Sequence, residues 1–185
     1  MFHFASSSLR MKFIILMVGT SLVTVICITA LWLQTLRMEA QTQLENYRTQ
    51  LLQDVDTSLK NETQIVVSLL EKVYQQQQAG LLSEPEAKKI AADLVRDLRY
   101  DDGKGYFWID TEDGVNVVLL GRDVEGKSRI DLVDPDGVHF IQEMLKNGQQ
   151  PGGGYTDLSF AKPGETTPLP KRNYTTTFAP YQWVL

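Results

Sequence analysis

From Phe13 through Leu33 the chain carries no charged residue. As a helix rising about 1.5 Å per residue, that run spans roughly 30 Å, the thickness of a bilayer's hydrocarbon core. Trp32 sits at its far end, where interfacial aromatics belong. A cleaved signal peptide is the competing reading. Its apolar core is shorter, roughly 7–15 residues, and it ends in a small-x-small site. Ala30-Leu31-Trp32-Leu33 is too bulky for such a site, so the run reads as an uncleaved anchor. Arg10 and Lys12 precede it; Arg37 follows but is soon joined by Glu39. The positive-inside rule then puts residues 1–12 in the cytoplasm, 13–33 across the membrane and 34–185 outside.

All 23 acidic residues follow the apolar run, so the outer portion is more acidic than the net −5 of the whole chain. A nucleic-acid role would need a basic footprint, which is missing. The one cysteine, Cys27, lies inside the apolar run and cannot form an internal disulfide. His3 and His139 are far apart and lack metal-ligand spacing. No metal and no cofactor is expected.

Gln34 to Gln78 holds neither Pro nor Gly. Leu44, Tyr47, Leu51, Leu52, Val55, Leu59, Val66, Leu69, Leu70 and Val73 recur at three- and four-residue steps, which predicts a long amphipathic helix. Up to Leu59 it has little else in the chain to pack on, so this half reads as a parallel homodimer seam. Gly80 stops the helix. Ser83, Pro85 and Glu86 fit the N-cap, first turn and capping box of a second helix over 84–99, with Ile90, Ala91, Leu94, Val95 and Leu98 as its apolar face.

The sheet region is expected over 104–185. Gly105-Tyr106-Phe107-Trp108-Ile109-Asp110 and Val115 to Leu120 are β-prone runs split by a loop with Asp113-Gly114, a hairpin pattern. Alternation puts Tyr106, Trp108 and Asp110 on one face, Phe107 and Ile109 on the other. The apolar face should meet a helix. The mixed face either lines a pocket or holds core aromatics whose polar tips have found partners. Further along, Val138 to Lys146 reads as a short helix and Tyr155 to Phe160 as a strand. Lys162-Pro163-Gly164 and Pro168-Leu169-Pro170 frame a loop, and Lys171 to Phe178 is β-rich. Tyr181 to Leu185 begins a last strand.

The motif order resembles the extracytoplasmic single Cache domain of bacterial sensors, above all methyl-accepting chemotaxis proteins. The resemblance rests on Gly105-Tyr106-Phe107-Trp108-Ile109, Val117-Val118-Leu119-Leu120-Gly121, Val124-Glu125-Gly126-Lys127 and the turn from Asp131 to Gly137. It continues through Gly152-Gly153-Gly154-Tyr155, Lys162-Pro163-Gly164, Pro170-Lys171-Arg172-Asn173-Tyr174 and Tyr181 to Leu185. It covers Ser83 onward by motif and Phe13 to Gln78 by architecture. It implies an α+β fold: a transmembrane helix and a long N-terminal helix followed by a PAS-like antiparallel β-sheet. It also implies a sensor in the bacterial inner membrane that binds a small ligand, often a short carboxylate, and drives a cytoplasmic signalling module. Lys171 is then the residue to grip an anionic group, and Tyr106, Trp108, Tyr155 and Tyr174 supply walls and donors. Without the resemblance, Lys171 reads as a solvated loop lysine.

Two positions depart from the pattern. Many relatives carry a histidine in the second strand, where this chain has Val118-Leu119-Leu120. Many carry an aromatic where Leu158 stands. The family also continues past Trp-Val-Leu into a second span and signalling helices, so the chain is expected to be a fragment, truncated at the last strand. An enzyme is not expected: there is no Gly-x-Ser-x-Gly, no ligand spacing for a metal and no Cys/His pair. The acidic pairs Asp101-Asp102 and Asp134-Asp136 sit in turns beside Gly, where Asp serves the backbone. The sensor portion of a histidine kinase or of a cyclic-nucleotide enzyme receptor is the alternative output. A membrane-anchored interaction protein without signalling is the alternative class.

Overall fold

The structure is a computed structural model that describes residues 9–161 and 165–185. Met1 to Ser8, with His3, and the expected Lys162-Pro163-Gly164 loop lie outside the described residues. Two compact units divide at Gln53 and Asp54.

In the first unit the chain is helix α1, which runs Leu9–Gln78. The apolar side chains of the uncharged run are exposed, Trp32 among them. Its hydroxyls turn back onto the helix: Thr29 Oγ1 donates to the Val25 carbonyl at 2.8 Å and Ser21 Oγ to Met17 at 2.8 Å. Every polar side chain so satisfied removes a cost of immersion in hydrocarbon. Among the described residues this helix holds the one window apolar and long enough to cross a membrane. Leu44, Tyr47, Leu51 and Leu52 are likewise exposed.

In the second unit α1 buries Thr63, Val66, Leu70 and Val73 at three- and four-residue steps. It ends in a Schellman motif: Leu81 N–H donates to Gln76 and Gly80 N–H to Gln77, with Gly80 at φ +73°. Helix α2, Glu84–Asp97, starts with the expected capping box; Ser83 N–H donates to Glu86 Oε2 at 2.9 Å. Its buried face is Ala87, Ala91, Ala92 and Val95, while Ile90 and Leu94 are exposed. The expected face was therefore rotated: a stripe of small residues joins Val66, Leu70 and Val73 in one core.

The expected strand Gly105–Asp110 is two strands. β1 (Arg99–Tyr100) pairs with β2 (Gly105–Tyr106), and β3 (Ile109–Thr111) pairs with β4 (Asn116–Val118). The run changes partner at Phe107-Trp108, which is why it breaks there. The second strand stops short of Leu120 because Leu120 and Gly121 both take positive φ. The face assignment survives the break: Ile109 and Phe107 pack on the α1–α2 core. Trp108 faces the other way, with helix α3 (Phe140–Gly148).

β5 (Gly154–Ala161) and β6 (Pro168–Thr175) form an eight-pair antiparallel ribbon. The expected Pro168-Leu169-Pro170 loop is thus strand. Each strand of a two-stranded ribbon has an open edge, where a proline's missing N–H leaves no ladder gap. β7 (Thr177–Phe178) and β8 (Trp183–Val184) complete a four-stranded antiparallel sheet in the order β4-β3-β8-β7. The segment expected to begin a last strand therefore lies inside the sheet, between β3 and β7. Architecture and chain order are those of an α+β domain: a long helix, then antiparallel sheets.

Candidate functional site

A cavity of about 200 Å³ opens between the β1–β2 hairpin, α3 and the β5–β6 ribbon. Its lining brings together three of the five expected residues, Tyr106, Trp108 and Lys171. Tyr155 and Tyr174 stand elsewhere. Parity explains this: paired residues in an antiparallel ladder share a face, and Leu158 pairs with Lys171 while Tyr155 pairs with Tyr174. Lys171 and Tyr174, three apart on one strand, must point oppositely. The Tyr155 hydroxyl donates to the Asp56 carbonyl at 2.9 Å, and the Tyr174 hydroxyl to the Gly152 carbonyl at 2.6 Å.

Lys171 Nζ donates to the Tyr106 hydroxyl and to the Ala161 carbonyl, each at a long 3.4 Å. It lies 5.2 Å from the centre of the Tyr106 ring and 5.4 Å from that of Phe160, within cation–π range. No carboxylate pairs with it among the described residues.

Arg129, only 5% exposed, forms the back wall. Its Nη2 and Nε donate to the two oxygens of Asp110, the latter at 3.1 Å, and Asn116 Nδ2 adds a bond to Asp110 at 2.8 Å. Burial pushes the Asp110 carboxyl up, and the guanidinium's charge and hydrogen bonds oppose that push. The guanidinium carbon lies 5.8 Å from the Trp108 ring centre. Asp110 was legible on the mixed face of the sequence pattern. A lone charge on a strand face implies a buried partner. Nothing in the spacing singled out Arg129 as that partner.

Tyr100, not expected from the sequence, closes one side. Burial, with Glu62 adding to it, holds its phenol up at about 12, so it remains a neutral donor. The ring covers Gly105, where a Cβ would stand 2.2 Å from it. Opposite lie Phe140, Met144, Leu158 and Phe160, with Leu119. Of the two departures from the family pattern, the Val118-Leu119-Leu120 stretch contributes Leu119 to this lining, and Leu158 lines it as well.

The charge balance is one-sided. Among the described residues no Asp or Glu lines the cavity, while Lys104, Arg129, Lys171 and Arg172 do. Asp110 offsets Arg129, Asp56 and Asp157 offset Arg172, and Asp101 lies 3.9 Å from Lys104. Half-buried Lys171 is left as the uncompensated cation among these aromatic and aliphatic side chains.

The family model of single Cache domain 2 matches residues 51–185. The methyl-accepting chemotaxis protein McpP of Pseudomonas putida is 31% identical over 109 residues, 58% of this chain and 20% of that protein. The sensor histidine kinase MctS of Rhizobium johnstonii is 25% identical over 180 residues, 96% of this chain and 38% of that protein. The chain thus spans well under half the length of either. A solved periplasmic sensor domain of a chemotaxis protein is 28% identical, with a TM-score of 0.68 over 72% of this chain and 92% of that one. A Cache chemosensory domain solved for its carboxylic acid recognition is 26% identical, with a TM-score of 0.62 over 71% of this chain and 92% of that one. A model match across residues 51–185, on a fold that these sensor domains share, is membership: the chain belongs to the single Cache domain 2 family of sensor domains.

Proposed function

We propose that this chain is the ligand-sensing portion of a transmembrane chemoreceptor and that its ligand is a small monocarboxylate. The observation that carries the reading is Lys171, a half-buried ammonium without a counter-charge in the wall of a chamber whose described lining holds no acidic side chain. A carboxylate at Nζ would displace two long contacts, with Tyr106 and Ala161, by one charge-assisted hydrogen bond. The ligand's alkyl end would fill the space between Phe140, Met144, Leu158 and Phe160. Arg129 faces the carboxylate from behind and is held ready by Asp110, so binding need not order it. An amino acid of the same size is disfavoured, because its ammonium would meet cations and rings with no acid in the wall. The solved carboxylate-recognising relative supports the same class.

The reading includes the membrane. Residues 1–12 lie inside, 13–33 cross an inner membrane once, and 34–185 face the periplasm or exterior. Leu44, Leu51, Leu52 and Val55, all exposed, with the half-buried Leu59, form a parallel homodimer seam. The match to a sensor histidine kinase over 96% of this chain supports a second output, a kinase in place of a chemotaxis module. The ligand reading is common to both.

A thermal-shift screen tests the class. Acetate, propionate, butyrate and pyruvate should raise the melting midpoint, whereas alanine, glycine and propionamide should not. Stabilisation by the amino acids or the amide alone would overturn the assignment.

A further inference from the structure

The ribbon that carries Lys171 also grips helix α1, and it does so through the next residue. Alternation along β6 turns Lys171 into the cavity and sends the Arg172 guanidinium to the helix. Arg172 Nε and Nη2 donate to the two carboxylate oxygens of Asp56, the latter at 3.0 Å. Its Nη1 donates to both oxygens of Asp157 on β5, at 2.9 and 2.8 Å. Tyr155, also on β5, lays its ring 5.0 Å from the same guanidinium and donates its hydroxyl to the Asp56 backbone carbonyl. One helical residue is thus held by side chain and main chain from both strands of the ribbon.

The place of this clamp matters. The buried residues of α1 begin at Thr63. Asp56 lies about two turns N-terminal to it. Val55, beside Asp56, is exposed, and Leu59, between Asp56 and Thr63, is only half-buried. The segment of α1 around Asp56 thus meets the ribbon through polar contacts. The opposite face of that ribbon is a cavity wall, through Leu158, Lys171 and Asn173. The two acids that share the guanidinium also differ: the Asp157 side chain is 73% exposed and that of Asp56 24%. Asp157 travels with the ribbon and Asp56 with the helix. Arg172 can keep the first while it releases or re-forms the second, which gives the tie two positions.

We propose that Arg172 is a positioning residue that couples filling of the cavity to α1, by holding or releasing Asp56 while it stays on Asp157. The proposal rests on the cavity being the ligand site. It makes the ribbon a lever: a carboxylate that draws Lys171 inward moves the backbone from which Arg172 reaches α1. A ligand acts on the helix only through a difference in contacts between the two positions, and here that difference is the bidentate Asp56 pair.

The test uses the full chain in lipid nanodiscs and reads hydrogen exchange of the α1 amides 54–60. The cavity is filled in two independent ways, with saturating propionate and with Leu158→Trp, which needs no ligand. Either filling should change exchange at 54–60 by about threefold or more. The change should vanish in Arg172→Met and Asp56→Asn and return in part in Arg172→Lys. Asp56→Asn, at a residue outside the cavity lining, should keep its propionate affinity within about threefold of wild type, as a residue acting through the helix must. If the exchange response persists in Arg172→Met, or if neither filling moves 54–60 in the wild type, the coupling is wrong. If Asp56→Asn loses propionate binding itself, the Arg172–Asp56 pair supports the site and does not couple it to the helix. A response to Leu158→Trp with no binding of propionate keeps the coupling and overturns the carboxylate reading. Should Leu158→Trp fail to fold, the propionate arm decides alone.

Discussion

Leu158 and Lys171 are direct partners across the β5–β6 ladder, so the apolar floor of the cavity and its free ammonium share one face of one ribbon. Any ligand held by the ammonium lies against the leucine. That geometry ties affinity for an anionic head to tolerance for an alkyl tail, and it makes the following outcomes measurable.

Removing Asp110 should cost more than removing the whole pair. Asp110→Ala leaves the Arg129 guanidinium buried without its counter-charge, a loss of about 3–5 kcal/mol in unfolding free energy. The double variant Asp110→Leu with Arg129→Met should recover most of that by chemical denaturation. A single variant as stable as wild type would show that the pair does not carry a buried charge.

The two strands that build this site were only half legible in the sequence. The alternation of Tyr106, Phe107, Trp108 and Ile109 fixed which residue faces the helices and which faces the cavity, because period two is a local property of the backbone. The partner switch at Phe107-Trp108 was not legible, since it depends on β1, which read as part of a turn, and on β8, far away in the chain. Lys171 was found by resemblance. Tyr155 and Tyr174 were expected beside it, although their separations from Leu158 and Lys171 are odd and place them on the other face. The capping box of α2 and the Gly80 stop are short-range signals and were readable. Ala91 and Val95 were read correctly as buried, and the choice of Ala87 and Ala92 over Ile90 and Leu94 was set by tertiary packing.

Two glycine substitutions should separate a movable neighbour from a fixed one. At Gly105 a Cβ would press on the outer ring atoms of Tyr100, which can swing aside. Gly105→Ala should fold, lose about 1 kcal/mol and bind carboxylates more weakly as Tyr100 leaves the wall. At Gly153, with φ +76°, a Cβ would stand 2.4 Å from the Thr175 carbonyl, which is backbone and cannot yield. Gly153→Ala should destabilise more than Gly105→Ala in urea melts; the reverse order would contradict both placements.

Acid should weaken the domain through two carboxylates whose values are depressed. The Ser159 N–H donates to Asp134 Oδ2, and the N–H groups of Val138 and Asp136 donate to Oδ1, which together hold Asp134 below its usual 3.8. Burial works to raise Glu125, but N–H bonds from Leu119 and Gly121 and the Arg96 side chain outweigh it and hold Glu125 below 4.5. A depressed folded value means a contribution present in full above the ordinary value and lost as pH falls through the folded one. The melting midpoint should therefore fall as pH drops below about 4, and Asp134→Asn should flatten that fall. A midpoint that stays level down to pH 3 would contradict the assignment.

Single cysteines at positions 44 to 59, with Cys27 replaced, should crosslink between subunits in membranes with a period near 3.5 residues. Leu44, Leu51 and Val55 are exposed along that stretch and should mark the maxima. A flat profile would remove the homodimer seam.

Lys171 is the residue on which carboxylate binding turns. Isothermal titration of the wild type and of Lys171→Met with propionate and butyrate measures its role directly. One charge-assisted hydrogen bond in a shielded site contributes about 1.5–3 kcal/mol, so the variant should bind roughly ten- to a hundredfold more weakly. Its melting midpoint without ligand should stay close to that of wild type. Equal affinity in Lys171→Met, or a best ligand that is neutral or cationic, would contradict the carboxylate assignment and leave the cavity to an apolar molecule.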